Sequence, residues 1–351
     1  MVRRFGSALV WLLASASLYL YILNRRLIQA RDGPYKSPGI RIGALAMGAA
    51  AAYTGFRAAG TRWLAVPVTV LAVAAAGEVR RWRLRRHSRG APPVQEENAG
   101  VSLARPDTTT DLALRRYELP VAGWQGPRLR IAHVSDFHLN SHLPLAYFES
   151  AMRQVAAQEP DLLFITGDFV TYPQFAPLLP GILGLARGRY GTFAVLGNHD
   201  DWAGAEIVAE AVRSAGVHLL GNGSTRLEIA GQPILIAGCE LPWIRAAWQP
   251  VAPAAGELAL MLTHTPDNIY RLSGRGYAAI FAGHYHGGQM RLPLLGPLVV
   301  PSNYGRRFDH GRFVIDGTHL FVTAGIGSAE PPVRLWCQPD VLLVDILPER
   351  A

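Results

Sequence analysis

Two histidines, His284 and His286, stand one residue apart in FAGHYHGGQM (281–290), among Gly283, Gly287 and Gly288. Imidazole binds borderline metals and exchanges protons near neutral pH. Four other apolar runs end in comparable residues. LRIAHV (129–134) runs into Ser135-Asp136-Phe137-His138, and DLLFIT (161–166) into Gly167-Asp168. TFAVL (192–196) runs into Gly197-Asn198-His199-Asp200, and LALMLT (258–263) into His264. YAAIFA (277–282) leads to the opening pair. One Asp after a strand is ordinarily a turn residue or a helix N-cap. Here that explanation is needed five times over. Carboxylate, imidazole and amide oxygens together suit Mn, Fe or Zn. Without Cys in the set, a structural zinc site is disfavoured.

These runs read as short buried strands alternating with amphipathic stretches, such as 145–158 and 203–215, which is an α/β pattern. Open α/β sheets bind ligands at the C-terminal edge of their strands. Strand alternation predicts that His284 and His286 face one cavity, each towards a different ion. The glycines beside them leave room for a sharp turn and for close approach of metal and substrate.

The rest of the 351-residue chain has a different character. Residues 1–100 hold 15 Lys/Arg against 4 Asp/Glu, whereas residues 101–351 hold 19 against 22. The high charge belongs to the N-terminal part. No nucleic-acid partner is expected for the remainder, which has no basic stripe. Three apolar stretches, 5–23, 42–56 and 63–77, read as about three membrane-spanning helices. Arg25, Arg26, Arg31, Lys36 and Arg41 follow the first stretch, and Arg80, Arg81, Arg83, Arg85, Arg86 and Arg89 follow the third. Only Arg57 and Arg62 separate the second from the third. The positive-inside rule then puts residues 80–351 in the cytoplasm, at the inner membrane. The expected organisation is a membrane anchor over 1–87, a surface linker over 88–128 and an α/β domain over 129–351. Cys239 and Cys337 sit in no paired or zinc-like spacing and are expected to be free thiols.

The ordered set Asp136-Phe137-His138, Gly167-Asp168, Gly197-Asn198-His199-Asp200, His264 and Gly283-His284-Tyr285-His286 resembles the calcineurin-like metallophosphoesterase superfamily. The resemblance covers essentially everything after the linker. GHYHGGQMRLP and FVTAGIGSAEPPVRLWCQPDVLLVDI are similar to a membrane-anchored bacterial branch. That branch includes lipid-directed phosphodiesterases and a UDP-2,3-diacylglucosamine pyrophosphatase type. Tyr285 departs from the Thr usual there, a change expected to alter the pocket wall.

The resemblance implies a four-layer αββα sandwich after the transmembrane helices and two divalent ions (Mn, Fe or Zn). Asp136, His138, Asp168 and His286 would hold one ion. Asp168, Asn198, His264 and His284 would hold the other, with Asp168 shared. The implied nucleophile is a metal-bridging hydroxide acting on a phosphodiester or pyrophosphate. His199 would stabilise the phosphoryl charge and protonate the leaving oxygen, and Asp200 would orient it. The anchor points to a membrane lipid or lipid-linked phosphoester such as UDP-2,3-diacylglucosamine. The alternatives are a phosphodiesterase for soluble nucleotides and a non-catalytic metal-binding membrane module. The oligomeric state is not legible. Arg334 reads equally as a phosphate contact or as a pin for the C-terminal loop, and Arg306-Arg307 as a solvated tip.

Overall fold

The computed structural model describes residues 2–27, 36–57, 61–244, 248–293 and 295–349. Arg31, one of the residues used for orientation, lies outside them. The chain divides into two units: residues 1–87 with 298–307, and residues 88–297 with 308–351.

The first unit contains α1 (Val2–Ile22), α2 (Lys36–Arg57) and α3 (Thr61–Ser88). Among the described residues, two helices are long and apolar enough to cross a membrane, Val2–Ile22 and Trp63–Ser88. The Ala- and Gly-rich α2 is helical but does not reach that standard, so only two of the three expected spans meet it. Small residues let α1 and α2 approach closely: a Cβ added to Gly55 would lie 2.6 Å from the Ala8 Cα. Phe5 and Phe56 meet edge to face beside this crossing. The segment 298–307 belongs to the same unit. The Asn24 amide bonds the Leu298 carbonyl at 3.1 Å and accepts from the Val300 N–H at 2.7 Å. Arg306, expected to face solvent, pairs with Glu78 of α3.

The strands of the second unit are, in order, β1 (Gln95–Glu97), β2 (Ala113–Val121), β3 (Leu129–Val134), β4 (Leu162–Ile165), β5 (Thr192–Ala194), β6 (His218–Leu219), β7 (Ser224–Ile229) and β8 (Gln232–Cys239). They continue as β9 (Leu258–Thr263), β10 (Ala279–Ala282), β11 (Arg291–Leu292), β12 (Gly296–Pro297), β13 (Gly311–Ile315), β14 (Thr318–Val322) and β15 (Asp340–Pro348). Its helices are α4 (Leu145–Ala156), α5 (Leu179–Leu183), α6 (Asn198–Ser214) and α7 (Ile269–Leu272).

One sheet runs β1-β2-β15-β3-β4-β5-β6 and the other β13-β14-β10-β9-β8-β7. Both centres are parallel: β3, β4 and β5 in the first sheet, and β8, β9, β10 and β14 in the second. Their near-continuous apolar sequences suit strands buried on both faces. Ile131, Phe164 and Phe193 pack between the sheets against Ile236, Leu260, Phe281 and Phe321. The Phe164 and Phe281 rings meet edge to face at 5.1 Å. The other face of the first sheet is covered by apolar residues of the helices, including Phe148, Met152, Ile182, Val208 and Val212. The architecture is thus a mixed α/β fold built on two stacked sheets.

Part of the expected linker belongs to this fold. Within 88–128, β2 pairs along its whole length with β15, in parallel. Leu119 and Tyr117 of β2 are buried in the inter-sheet core. The charge that β2 carries is neutralised in place. Arg115 bonds Asp340 at 2.7 Å and Glu96 at 2.9 Å. Both cysteines are free and buried, as expected.

Glu240 follows β8 and is 4 % exposed. One oxygen accepts the Leu196 N–H at 2.7 Å. Burial pushes its carboxyl up to about 7, despite that bond and the charge of Arg213. A carboxyl raised in the folded state is neutral in both states at low pH. It destabilises the fold progressively between its unfolded value of 4.5 and about 7. Glu240→Gln keeps an acceptor for Leu196 and removes the charge. Thermal unfolding should therefore show the variant more stable than the parent by about 3 kcal/mol at pH 8. At pH 4.5 the two should coincide.

Candidate metal centre

The two sheets bring their C-terminal strand edges together, and the polar residues that close the strands meet there. Asp136 and His138 follow β3, Asp168 follows β4, and Asn198 and His199 open α6 after β5. From the other sheet, His264 follows β9, and His284 and His286 follow β10. Three groups have donor atoms all within 4.8 Å of one another: Asp136, His138 and His286; His138, Asp168 and His199; Asp168, His264 and His284. His284 and His286 thus go to different groups. Strand alternation does not bring this about, because β10 stops at Ala282. The turn is made by left-handed backbone at His284 (φ 66°) and His286 (φ 51°).

The same conformation recurs at Asp136 (φ 54°), His138 (φ 47°) and Asp168 (φ 54°). Non-glycine residues adopt it rarely, and it concentrates at functional sites where surrounding contacts enforce it. Tight packing leaves no side-chain room at two adjacent glycines. A Cβ on Gly197 would sit 2.2 Å from Asp168 Oδ1, and one on Gly283 would sit 2.2 Å from Asp136 Oδ2.

Asp168 lies at the junction. Its Oδ2 is 3.4 Å from His138 Nε2 and 3.2 Å from His264 Nε2. Its Oδ1 accepts the His199 N–H at 2.8 Å. The site's ring nitrogens face one another as well as the carboxylates. His264 Nε2 is 3.0 Å from His284 Nδ1, and His138 Nε2 is 3.0 Å from His286 Nε2. His264 Nδ1 lies 2.6 Å from the Thr166 carbonyl, so Nδ1 donates there. Its Nε2 then carries the lone pair and points at a carboxylate and another imidazole. Such a pairing is favourable only with a cation between the groups, a proton or a metal.

The electrostatics agree. Burial would lower the His264 imidazole, but the Asp168 and Asp136 carboxylates bring it up to about 9. Burial and the neighbouring His264 hold His284 down to about 3, and burial also depresses His138. Asp136 is held below the usual carboxylate range: burial opposes ionisation, and the nearby histidines overcome it. Ionised Asp136 and neutral His138 and His284 are in the protonation states that bind metal, whereas His264 holds a proton that a bound cation would replace. Buried Asn198 adds a side-chain oxygen with no hydrogen-bond partner. These donors fit divalent cations.

The expected role of Asp200 changes. Its carboxylate accepts the N–H groups of Asp168, Phe169 and Gly197 at 2.8–2.9 Å and of Val170 at 3.3 Å. It fastens the Asp168 loop to the start of α6 and does not orient His199. His199, expected outside both metal shells, has its ring 4.5 Å from that of His138. Tyr285 does not change the pocket wall: it is 1 % exposed and its hydroxyl donates to Asp267.

Arg334 is resolved as a pin. It is fully buried and donates to the carbonyls of Gly327 (2.9 Å), Ala324 (2.7 Å), Gly325 (3.2 Å) and His286 (3.3 Å). Two residues escaped the sequence reading. The half-buried Trp243 ring lies 4.9 Å from that of His284, and Trp202 lies 4.7 Å from His199. Their closeness to ligand-bearing segments, in HDDW and CELPW, is the signal available.

The family model described as calcineurin-like phosphoesterase matches residues 129–288. Phosphodiesterase YaeI of Escherichia coli K12 is 29 % identical over 227 residues, 62 % of this chain and 82 % of that protein. The metallophosphoesterase YkuE of Bacillus subtilis 168 is 26 % identical over 242 residues, 66 % of this chain and 83 % of that one. The UDP-2,3-diacylglucosamine pyrophosphatase LpxG of Chlamydia trachomatis serovar D is 26 % identical over 219 residues, 47 % of this chain and 65 % of that one.

Arg334→Met would leave several buried carbonyls without donors. It should lower stability by about 3 kcal/mol in chemical denaturation. It should also reduce bound metal, measured by elemental analysis, because the His286 main chain is then unsupported. Unchanged metal content would mean that the pin supports the loop alone.

Proposed function

We propose, from the premise that the chain belongs to the calcineurin-like phosphoesterases and is a metal-dependent phosphoester hydrolase, that its substrate is an amphiphilic phosphodiester or pyrophosphate in a membrane. The observation that carries the chemistry is Asp168, which sits between two groups of donors. In this reading Asp136, His138, Asp168 and His286 hold one divalent ion, and Asp168, Asn198, His264 and His284 hold the other. Mn, Fe and Zn all suit this donor set. Two such ions, when bound, neutralise phosphoryl charge and make water a nucleophile near neutral pH.

The chain's own residues do the rest. The shared carboxylate sets the spacing of the two donor groups. His138 and His284, held neutral by burial, present lone pairs, and His264 would exchange its proton for the cation. His199 is fixed through its main-chain bond to Asp168, with its ring at the rim of the donor cluster. From there it gives a proton to the leaving oxygen, and proton transfer of this kind contributes about 10²–10⁴-fold in rate.

The membrane part of the reading rests on α1 and α3, both long and apolar enough to span. Tethering a site beside a bilayer raises the effective concentration of a lipid-linked substrate. The basic flanks of the helices favour a cytoplasmic catalytic body at the inner membrane. The named activity of the chlamydial relative, on UDP-2,3-diacylglucosamine, makes that lipid nucleotide the first substrate to try.

The test is hydrolysis by full-length protein with Mn²⁺ of UDP-2,3-diacylglucosamine and of bis(p-nitrophenyl) phosphate. Preference for the lipid nucleotide supports the reading, whereas turnover of the generic diester alone rejects that substrate. His199→Ala should retain wild-type metal content and lose about 10²–10⁴-fold in kcat. Parallel loss of metal would make His199 a ligand instead.

A further inference from the structure

The segment Leu298–Arg307 connects the hairpin of β11 and β12 to β13, and it is held at two places by the helices of the first unit. Asn24, 5 % exposed, grips the main chain of Leu298 and Val300 through both atoms of its amide. Glu78 takes Arg306 and also bonds Arg81 at 2.7 Å.

The positions of those two anchors are informative. Asn24 comes just after the apolar run of α1 and just before Arg25-Arg26. Glu78 comes just after the apolar run of α3 and just before Arg80-Arg81. Each therefore marks the boundary between apolar helix and basic flank. One short segment reaches both, so the C-terminal ends of α1 and α3 lie on the same side. An antiparallel α2 between them accounts for this. Its residue composition at the segment suits a lipid–water boundary: Tyr304 is 52 % exposed, and Arg306 and Arg307 follow it. Tyrosine and arginine settle at headgroup level because one part of each side chain is apolar and the other polar.

We propose that Leu298–Arg307 is an interfacial strap that lies in the headgroup layer of a bilayer, on the side carrying the basic helix ends, with Tyr304 turned towards lipid. The inference rests on the reading of α1 and α3 as membrane spans. It goes beyond that reading by adding a lipid-contacting element that is not one of the spans.

The experiment uses full-length protein in phosphatidylcholine/phosphatidylglycerol vesicles, labelled with an environment-sensitive fluorophore at Tyr304→Cys or, separately, at Leu13→Cys in the middle of α1. The native cysteines are buried, and unlabelled parent controls for their reaction. Lipids carrying a nitroxide near the headgroup or deep in the acyl chain serve as quenchers. The strap predicts blue-shifted emission at position 304, quenched more by the shallow nitroxide than by the deep one. Position 13 should show the reverse preference. Deep quenching at 13 with water-like, unquenched emission at 304 overturns the strap and leaves the spans intact. Unquenched emission at both positions overturns the membrane reading, and the strap with it.

Discussion

The structure turns on a buried carboxylate. Asp168 is almost wholly removed from solvent and faces two histidines from two different sheets. An ionised carboxylate buried in this way is costly unless positive charge compensates it. The first sheet offers His138 and His199, but the strongest opposing influence on Asp168 comes from His264 of the second sheet. His264 reaches Asp168 only when the sandwich closes, so closure completes the charge balance. Fold and chemistry therefore share one requirement: two parallel strand edges, each ending in donors, pressed together around cations.

Meeting that requirement costs backbone freedom. Five of the donor residues occupy left-handed backbone, at about 1–3 kcal/mol each. The fold supplies compensating bonds at the same places. The Asp200 carboxylate collects four main-chain N–H groups around Asp168. Arg334 collects the carbonyls around His286 and Gly325. Neither side chain has to touch a substrate to matter, because each holds the turn that aims a donor. Burial and the Asp168 charge push the Asp200 carboxyl up, and its N–H donors draw it back.

Much of this was legible because it is local. Short apolar strands that run into Asp, Asn or His can be read by eye, and their order carries the resemblance to the calcineurin-like phosphoesterases. What escaped depends on partners distant in sequence. The polar SRGAPPVQEENAG makes 88–128 read as a linker, and the pairing of β2 with β15, with Arg115 against Asp340, depends on the far end of the chain. The separation of His284 from His286 was anticipated for the wrong reason, since positive φ angles and not strand alternation produce it. Asp200 follows a histidine and invites the role of orienting it, yet its helical position turns it towards the Asp168 loop. Tyr285 sits between two candidate ligands, but its ring is directed into the protein towards Asp267.

The most direct test of the shared carboxylate is metal stoichiometry by native mass spectrometry of full-length protein and Asp168→Asn, each loaded with Mn²⁺. If Asp168 joins two cation sites, the parent carries two ions, and the variant loses both or keeps one weakly. An Asp168→Asn protein that retains two ions with parental affinity would contradict the account.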